Sequence, residues 1–350
     1  MIKVGIIGCG RIADLHFPGY EAIPDAAIHA VCDVDAKAAE ARRAALGVSK
    51  AYTDYRELLA DSEIDAVEIL TPQTLHEPIV IDAARAGKHI AVQKPMTTGL
   101  DSAARMLDAV RNAGITYKVT DNYVFYPPIA LAKQLMDDGV IGEPTMLRMK
   151  FVGGLWRGGW KVPQATWAWR LKEVAEGRGI QTFDHGHHMW TTAWFLMGAF
   201  EKVVSWIDTT LDFIDCPAVI MWKHKEGKRY GICDYTQATE LPIPSKYYSC
   251  DEWFEVTGSK GMILVRRCTG NIQDGPAVSV FNADGWTHHD VPSDWAEGFK
   301  HATRNFIDAI QGKRDPLLTG EQATGILRFA FAVRQASDER REVRLTELGG

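Results

Sequence analysis

Between residues 3 and 120, short β-branched runs alternate with helical stretches, and this order demands a parallel sheet with crossover helices. The spacing predicts strands at 3–7, 28–32, 66–70, 89–93 and 116–120, with helices near 12–22, 36–46, 55–60, 75–86 and 102–112. A strand buried on both faces reads as a continuous apolar run, as around Ile6 and around Val67. After a helix near 129–138 and a turn at 139–144 the pattern changes. Strands at 145–151, 202–209, 218–223, 229–235, 253–257, 262–266 and 278–281 follow one another, interrupted by a helix at 181–196 and closed by helices at 296–310 and 321–337. Consecutive strands without crossover helices predict a mostly antiparallel sheet. The expected class is α/β: a doubly wound parallel domain at 1–122, then an α+β domain at 123–350 whose terminal helices are free to pack back on the first. A chain of 350 residues exceeds what one core usually supports, in keeping with two domains.

The first strand runs into Gly8, Cys9, Gly10, Arg11, Ile12 and Ala13, a G-x-G-x-x-A turn that opens a helix. Glycines suit a tight turn where backbone must approach a pyrophosphate, whose charge the amides at the helix start stabilise. The motif alone is weak. Its position at a strand-to-helix junction, with Asp33 ending the second strand, makes it a Rossmann dinucleotide signature. A carboxylate there accepts ribose hydroxyls and repels a 2′-phosphate, so NAD is favoured over NADP, although Arg11 and Lys37 are available to neutralise a phosphate.

Ligands of open α/β sheets bind beyond the carboxyl ends of the strands, which gives weight to Thr71, Pro72 and His76 after one strand and to Gln93, Lys94 and Pro95 after the next. Pro95 restricts Lys94 to extended geometry. In the helix at 181–196, Asp184 and His188 stand four residues apart and are expected on one face, a carboxylate and an imidazole for one substrate. An alcohol loses its hydroxyl proton as hydride leaves carbon, and histidine titrates near neutrality, so His188 suits the base. His185, His187 and His188 lack the H-x-x-x-H pairing of helical zinc sites, and no metal is expected.

A net charge of -6 gives no reason to expect nucleic acid or an anionic membrane surface as partner. No apolar run approaches bilayer length, no export signal is read, and the six cysteines form no C-x-x-C pair. A cytoplasmic protein with reduced thiols is expected.

Taken in order, the loop from Gly8 to Ala13, Thr71-Pro72 with His76, Lys94-Pro95, Tyr126-Pro127-Pro128, Ile141-Gly142-Glu143-Pro144 and Asp184-x-Gly186-x-His188 resemble the Gfo/Idh/MocA family, named for glucose-fructose oxidoreductase and inositol dehydrogenase. The resemblance covers nearly the whole chain. It implies an N-terminal Rossmann domain with a tightly held nicotinamide cofactor, a large open C-terminal sheet through which a homodimer or homotetramer forms, and sugar or cyclitol substrates. By the same resemblance Lys94 hydrogen-bonds the reacting hydroxyl, Asp184 binds and orients the substrate, and His188 exchanges the proton. Two departures stand out: Gln93 replaces the usual glutamate before the lysine, and Asn122-Tyr123-Val124-Phe125 stands where many relatives carry arginine.

Eleven tryptophans are many for this length, and six of them lie between Trp156 and Trp194. Trp190 and Trp194 are expected in the core. The glycines of 153–161 are expected to prevent regular structure there, making a mobile flap that offers Trp156 and Trp160 to the substrate, with Asn122, Tyr126 and His185 as further substrate contacts. The expected activity is hydride transfer between NAD and a secondary hydroxyl or ketone of a sugar, glycoside or cyclitol. The alternative is glycoside cleavage by transient oxidation, elimination and re-reduction.

Overall fold

The structure, a computed structural model, describes residues 1–266 and 269–349, with all side chains among them except those of Trp156, Arg157 and Ala165. It comprises two compact units, one of residues 1–122 and 298–327, the other of 123–297 and 328–349. The first stretch of chain runs β1 (Ile2–Ile7), α1 (Ala13–Glu21), β2 (Ala26–Cys32), α2 (Ala36–Leu46), β3 (Lys50–Tyr52), α3 (Tyr55–Ala60), β4 (Ala66–Ile69), α4 (His76–Arg85), β5 (His89–Gln93), α5 (Leu100–Ala113) and β6 (Tyr117–Thr120). It continues through α6 (Pro127–Asp137), β7 (Pro144–Arg157), α7 (Gln164–Ala175), α8 (Gly186–Met197), β8 (Phe200–Ile207), β9 (Ala218–His224) and β10 (Tyr230–Pro244). Last come β11 (Cys250–Gly258), β12 (Gly261–Val265), β13 (Val278–Asn282), β14 (Gly285–His289), α9 (Glu297–Ile310), α10 (Gly320–Glu339) and β15 (Val343–Arg344).

In the first unit, six parallel strands lie in the order β3-β2-β1-β4-β5-β6. This is the doubly wound arrangement, and the strand order reverses beside β1, where such sheets bind dinucleotides. Val4, Ile6, Val67, Ile69, Ile90 and Val92 are buried, as strands covered on both faces require. β3 was not foreseen: it is a three-residue edge strand without an apolar run. The helix α9 belongs almost entirely to this unit. The buried ammonium of Lys118 on β6 donates to Ala302 O and Asn305 Oδ1 of that helix, and burial lowers the lysine pKa to about 7.

In the second unit, nine strands form one sheet in the order β14-β13-β12-β11-β7-β10-β9-β8-β15. All pairs are antiparallel except β7 with β10, so the expected mostly antiparallel sheet is present. One face is apolar and buried, carrying Val203, Ile220, Trp222, Tyr235, Phe151, Phe254 and Ile263. The opposite face remains exposed, with Trp206, Val219, Met221, Phe281 and Trp286 at the surface and the ion pairs Lys150–Asp234 and Arg148–Glu255 among them.

The irregular segment expected at 153–161 is instead strand as far as Arg157. Its glycines serve close packing: a Cβ on Gly153 would lie 2.3 Å from Gln237 Oε1, and one on Gly154 would lie 2.5 Å from Leu241 O, both on β10. Beyond the strand, Trp160 N donates to Tyr247 O at 2.8 Å, and the Trp160 ring meets those of Tyr247 and Tyr248 edge-on. The helix α7 that follows was also not foreseen.

Candidate active site

The glycine turn leaves β1 with Gly8 at φ +104°, a conformation that favours glycine. A Cβ there would lie 2.8 Å from the carbonyl carbon of Leu70, so the residue is fixed by sterics as well. Gly10 is different. A Cβ on it would meet no protein atom within 4 Å, which leaves bare backbone facing open space at the start of α1, as a pyrophosphate needs. Arg11 and Ile12 lead from that glycine into the helix, whose first-turn amides lie beside the turn. Asp33, one residue past β2, accepts from Cys9 N at 2.8 Å and from Asp35 N at 3.0 Å. Its carboxylate is thereby fixed against the glycine turn, where ribose hydroxyls of a dinucleotide would reach it.

At the ends of β4 and β5, His76 ties two loops together. Its Nε2 lies 2.9 Å from Thr71 O and its Nδ1 3.0 Å from Pro95 O, and burial holds its pKa below the ordinary histidine range. Pro72 caps the short helical turn that leads into His76, and the Thr71 hydroxyl is buried without a protein partner, as a ligand-facing group would be. The Lys94–Pro95 peptide bond is cis. Gln93 Oε1 accepts from Lys94 N at 2.8 Å, while its Nε2 lies 3.0 Å from His16 Nε2. His16 Nδ1 in turn lies 2.8 Å from the buried Glu68 Oε1. A ring that donates from Nδ1 to Glu68 can accept at Nε2 only from a donor, and an amide provides one where a glutamate would not. The departure at position 93 therefore matches its neighbour His16.

The second constellation differs from the single α-helix expected at 181–196. Ile180–His185 winds as a π-helix, with Asp184 N donating to Gly179 O, and the α-helix begins at Gly186. Asp184 consequently lies in the π-wound segment and His188 in the first turn of the α-helix. π-turns recur at functional sites because they re-aim side chains without ending the helix. Asp215 holds the entry: its carboxylate accepts from Gln181 N at 2.7 Å and from Thr182 N at 2.8 Å, and burial pushes its pKa up. At the exit Trp190 Nε1 donates to Thr182 O at 3.0 Å, and Gly186 makes room for that indole.

Around this turn, Arg170 of α7 pairs with Asp184 at 3.1 Å. The ring of His188 stacks on Tyr123 at 4.4 Å and meets His185 and Trp295 edge-on at 5.7 Å and 6.4 Å. His185 Nε2 lies 2.8 Å from the buried Glu252. His185 and His188 thus lie together in a box of rings, and Asp184 is held by an ion pair. Tyr126, fully buried at the entry to α6, donates its hydroxyl to Ser293 O at 2.8 Å. Both side-chain amide atoms of Asn122 are buried without a partner, an unmet demand that a ligand would relieve. The Trp156 side chain lies outside the described residues. Trp190 is in the core as expected, whereas Trp194 is only half-buried.

Sequence reasoning missed Arg170, Asp215, Glu252 and Trp295, none of which stands in a motif. Among the described residues, one cluster brings metal-ligating atoms together, those of His29, Asp61 and Glu63. The Lys50 ammonium already bridges its two carboxylates at 2.7 and 2.8 Å, supplying the cation.

Residues 2–121 match the model of the Gfo/Idh/MocA oxidoreductase family for its NAD-binding Rossmann fold, and residues 133–345 match that for its C-terminal alpha/beta domain. The chain is 26% identical to myo-inositol 2-dehydrogenase of Thermotoga maritima over 100% of both chains. It is 33% identical to levoglucosan dehydrogenase of Pseudarthrobacter phenanthrenivorans, over 59% of this chain and 54% of that one. A solved oxidoreductase from Agrobacterium radiobacter, in complex with NAD+, L-tartaric acid and magnesium, shares the fold with a TM-score of 0.86 at 22% identity over 99% of each chain.

Proposed function

Because the chain belongs to the Gfo/Idh/MocA oxidoreductase family, we propose that it is an NAD-dependent dehydrogenase acting on a secondary hydroxyl of a sugar, glycoside or cyclitol. The observation that carries this reading is the glycine turn, where Gly8 tolerates no Cβ, Gly10 faces open space and Asp33 is pinned alongside. When bound there, the nicotinamide supplies the hydride acceptor or donor. Gly10, Arg11 and Ile12 face its pyrophosphate, Asp33 accepts its ribose hydroxyls, and Thr71, Pro72, His76 and Gln93 shape the strand ends beside it. The Asp33 carboxylate favours NAD over NADP.

On the substrate, Lys94 donates to the reacting oxygen, Asp184 accepts from ring hydroxyls, and His188 takes the hydroxyl proton at an imidazole nitrogen as the alcohol is oxidised. Arg170 fixes the direction of the Asp184 carboxylate. The relatives named for myo-inositol and levoglucosan favour a ring polyol or sugar. The exposed, aromatic face of the nine-stranded sheet supports a homodimer or homotetramer, and the buried, unpaired thiols of Cys9, Cys32, Cys216, Cys233 and Cys250 suit the cytoplasm.

The test is reduction of NAD+ by a panel of cyclitols, sugars and glycosides, followed by absorbance of the reduced nicotinamide. At least one member should give net NADH. His188→Ala and Lys94→Ala should each lower kcat by about 10²- to 10⁴-fold with NADH affinity retained. Full activity in either variant removes that residue from the chemistry. Product formation without net NADH would favour transient oxidation instead.

A further inference from the structure

We propose that Glu252 is a positioning residue for proton exchange, its buried carboxylate holding Tyr123 and His185 where they fix the ring of His188. The inference rests on the reading of His188 as the proton-exchanging group. Glu252 lies on β11, opposite Phe151 of β7 in register, and is 0% exposed. Its Oε1 accepts from the Tyr123 hydroxyl at 3.0 Å and faces His185 Nε2 at 2.8 Å, while its Oε2 accepts from the Thr269 hydroxyl at 2.9 Å. A buried carboxylate is costly unless its lone pairs are met, and here the groups meeting it come from three separate segments of chain. The carboxylate therefore dictates where those segments sit.

Two of the three groups touch His188. The Tyr123 ring lies nearly parallel to the imidazole, with 20° between planes, and the His185 ring meets it at 71°. With one ring on its face and another at its edge, the His188 imidazole has little freedom to turn. Proton transfer requires hydrogen-bond reach, and a misplacement of about 1 Å costs on the order of 100-fold in rate. A carboxylate that aims both flanking rings thus acts on kcat through His188 without touching substrate. A carboxylate that merely stabilised the unit would act on melting temperature instead.

The experiment compares full-length wild type, Glu252→Gln, Tyr123→Phe, His188→Ala and the two double variants with His188→Ala. It reads kcat and KM for the ring polyol oxidised fastest with NAD+, together with nitrogen-15 resonances of the His188 ring. Glu252→Gln should lower kcat by about tenfold or more, leave KM within about threefold, and shift or broaden the His188 signals. Tyr123→Phe, which loses only the hydroxyl facing the carboxylate, should move both readouts the same way by less. Neither change should cost further activity once His188 is alanine.

Unchanged kcat and unchanged ring signals in Glu252→Gln overturn the proposal, as does an equal loss in the His188→Ala background. Should Glu252→Gln not fold, the same two results in Tyr123→Phe overturn it. If His188→Ala is fully active, the reading of His188 fails first. If no panel member is oxidised, the ring signals still decide whether Glu252 holds His188.

Discussion

At Gln93 the side-chain amide bridges Lys94 N and the His16 ring, and His16 in turn faces Glu68. Gln93→Glu would replace the amide that donates to His16 with a carboxylate and leave the ring between two acidic groups. In urea melts at neutral pH the variant should lose about 1–3 kcal/mol relative to wild type, and unchanged stability would refute the pairing. The places of Lys94 at a strand end and of His188 in a helix were legible because each stands in a short motif whose spacing limits its position in the fold. The place of Glu252 was not: it precedes the strand expected at 253–257, and strand register together with contacts from Thr269 buries it and Asp251. Sequence spacing shows which residues share an element, but not which distant side chain arrives beside them.

At the scale of elements, the parallel strands were legible wherever both faces are buried. β3 escaped because a short edge strand has no such run. β10 was expected to end near Tyr235 yet continues to Pro244, where pairing with β7 across the bulge between Ala238 and Pro242 overrides a polar, proline-bearing sequence. The π-turn at Ile180–His185 escaped because helical periodicity cannot distinguish windings over so few residues. Its Asp215 brace and the room at Gly186 are what a variant can disturb. A Cβ on Gly186 would lie 2.7 Å from Trp190 Nε1, so Gly186→Ala should push the indole off Thr182 O. We expect a loss of about 1–3 kcal/mol in chemical denaturation, with kcat falling as Asp184 and His188 are re-aimed. An unchanged kcat would show that the winding of this turn does not matter to the reaction.

For the whole molecule, two predictions concern stability and assembly. His224 is buried as a neutral ring, donating from Nδ1 to Gly198 O and accepting at Nε2 from Trp222 Nε1, and burial pulls its pKa down to about 4. Its contribution should be complete above the unfolded pKa of about 6.5 and lost as pH falls toward 4, on the order of 3 kcal/mol at most. His224→Gln should flatten that part of the stability curve, and an identical acid limb would remove His224 from it. The exposed face of the large sheet, with Trp206 58% and Trp286 50% accessible, should be covered by a second copy. Trp206→Asp should then reduce the mass seen by light scattering, whereas a wild type already monomeric would contradict the assembly.

The central claim is that hydride passes between a ring carbinol and the nicotinamide. Cyclitols and sugars bearing deuterium at the carbinol carbons, incubated with enzyme and NAD+, test it by proton NMR of the recovered nucleotide. Deuterium from at least one of them should appear at C4 of the nicotinamide, on one face only, and not in water. Deuterium released to water, or none in the nucleotide from any panel member, would contradict the account.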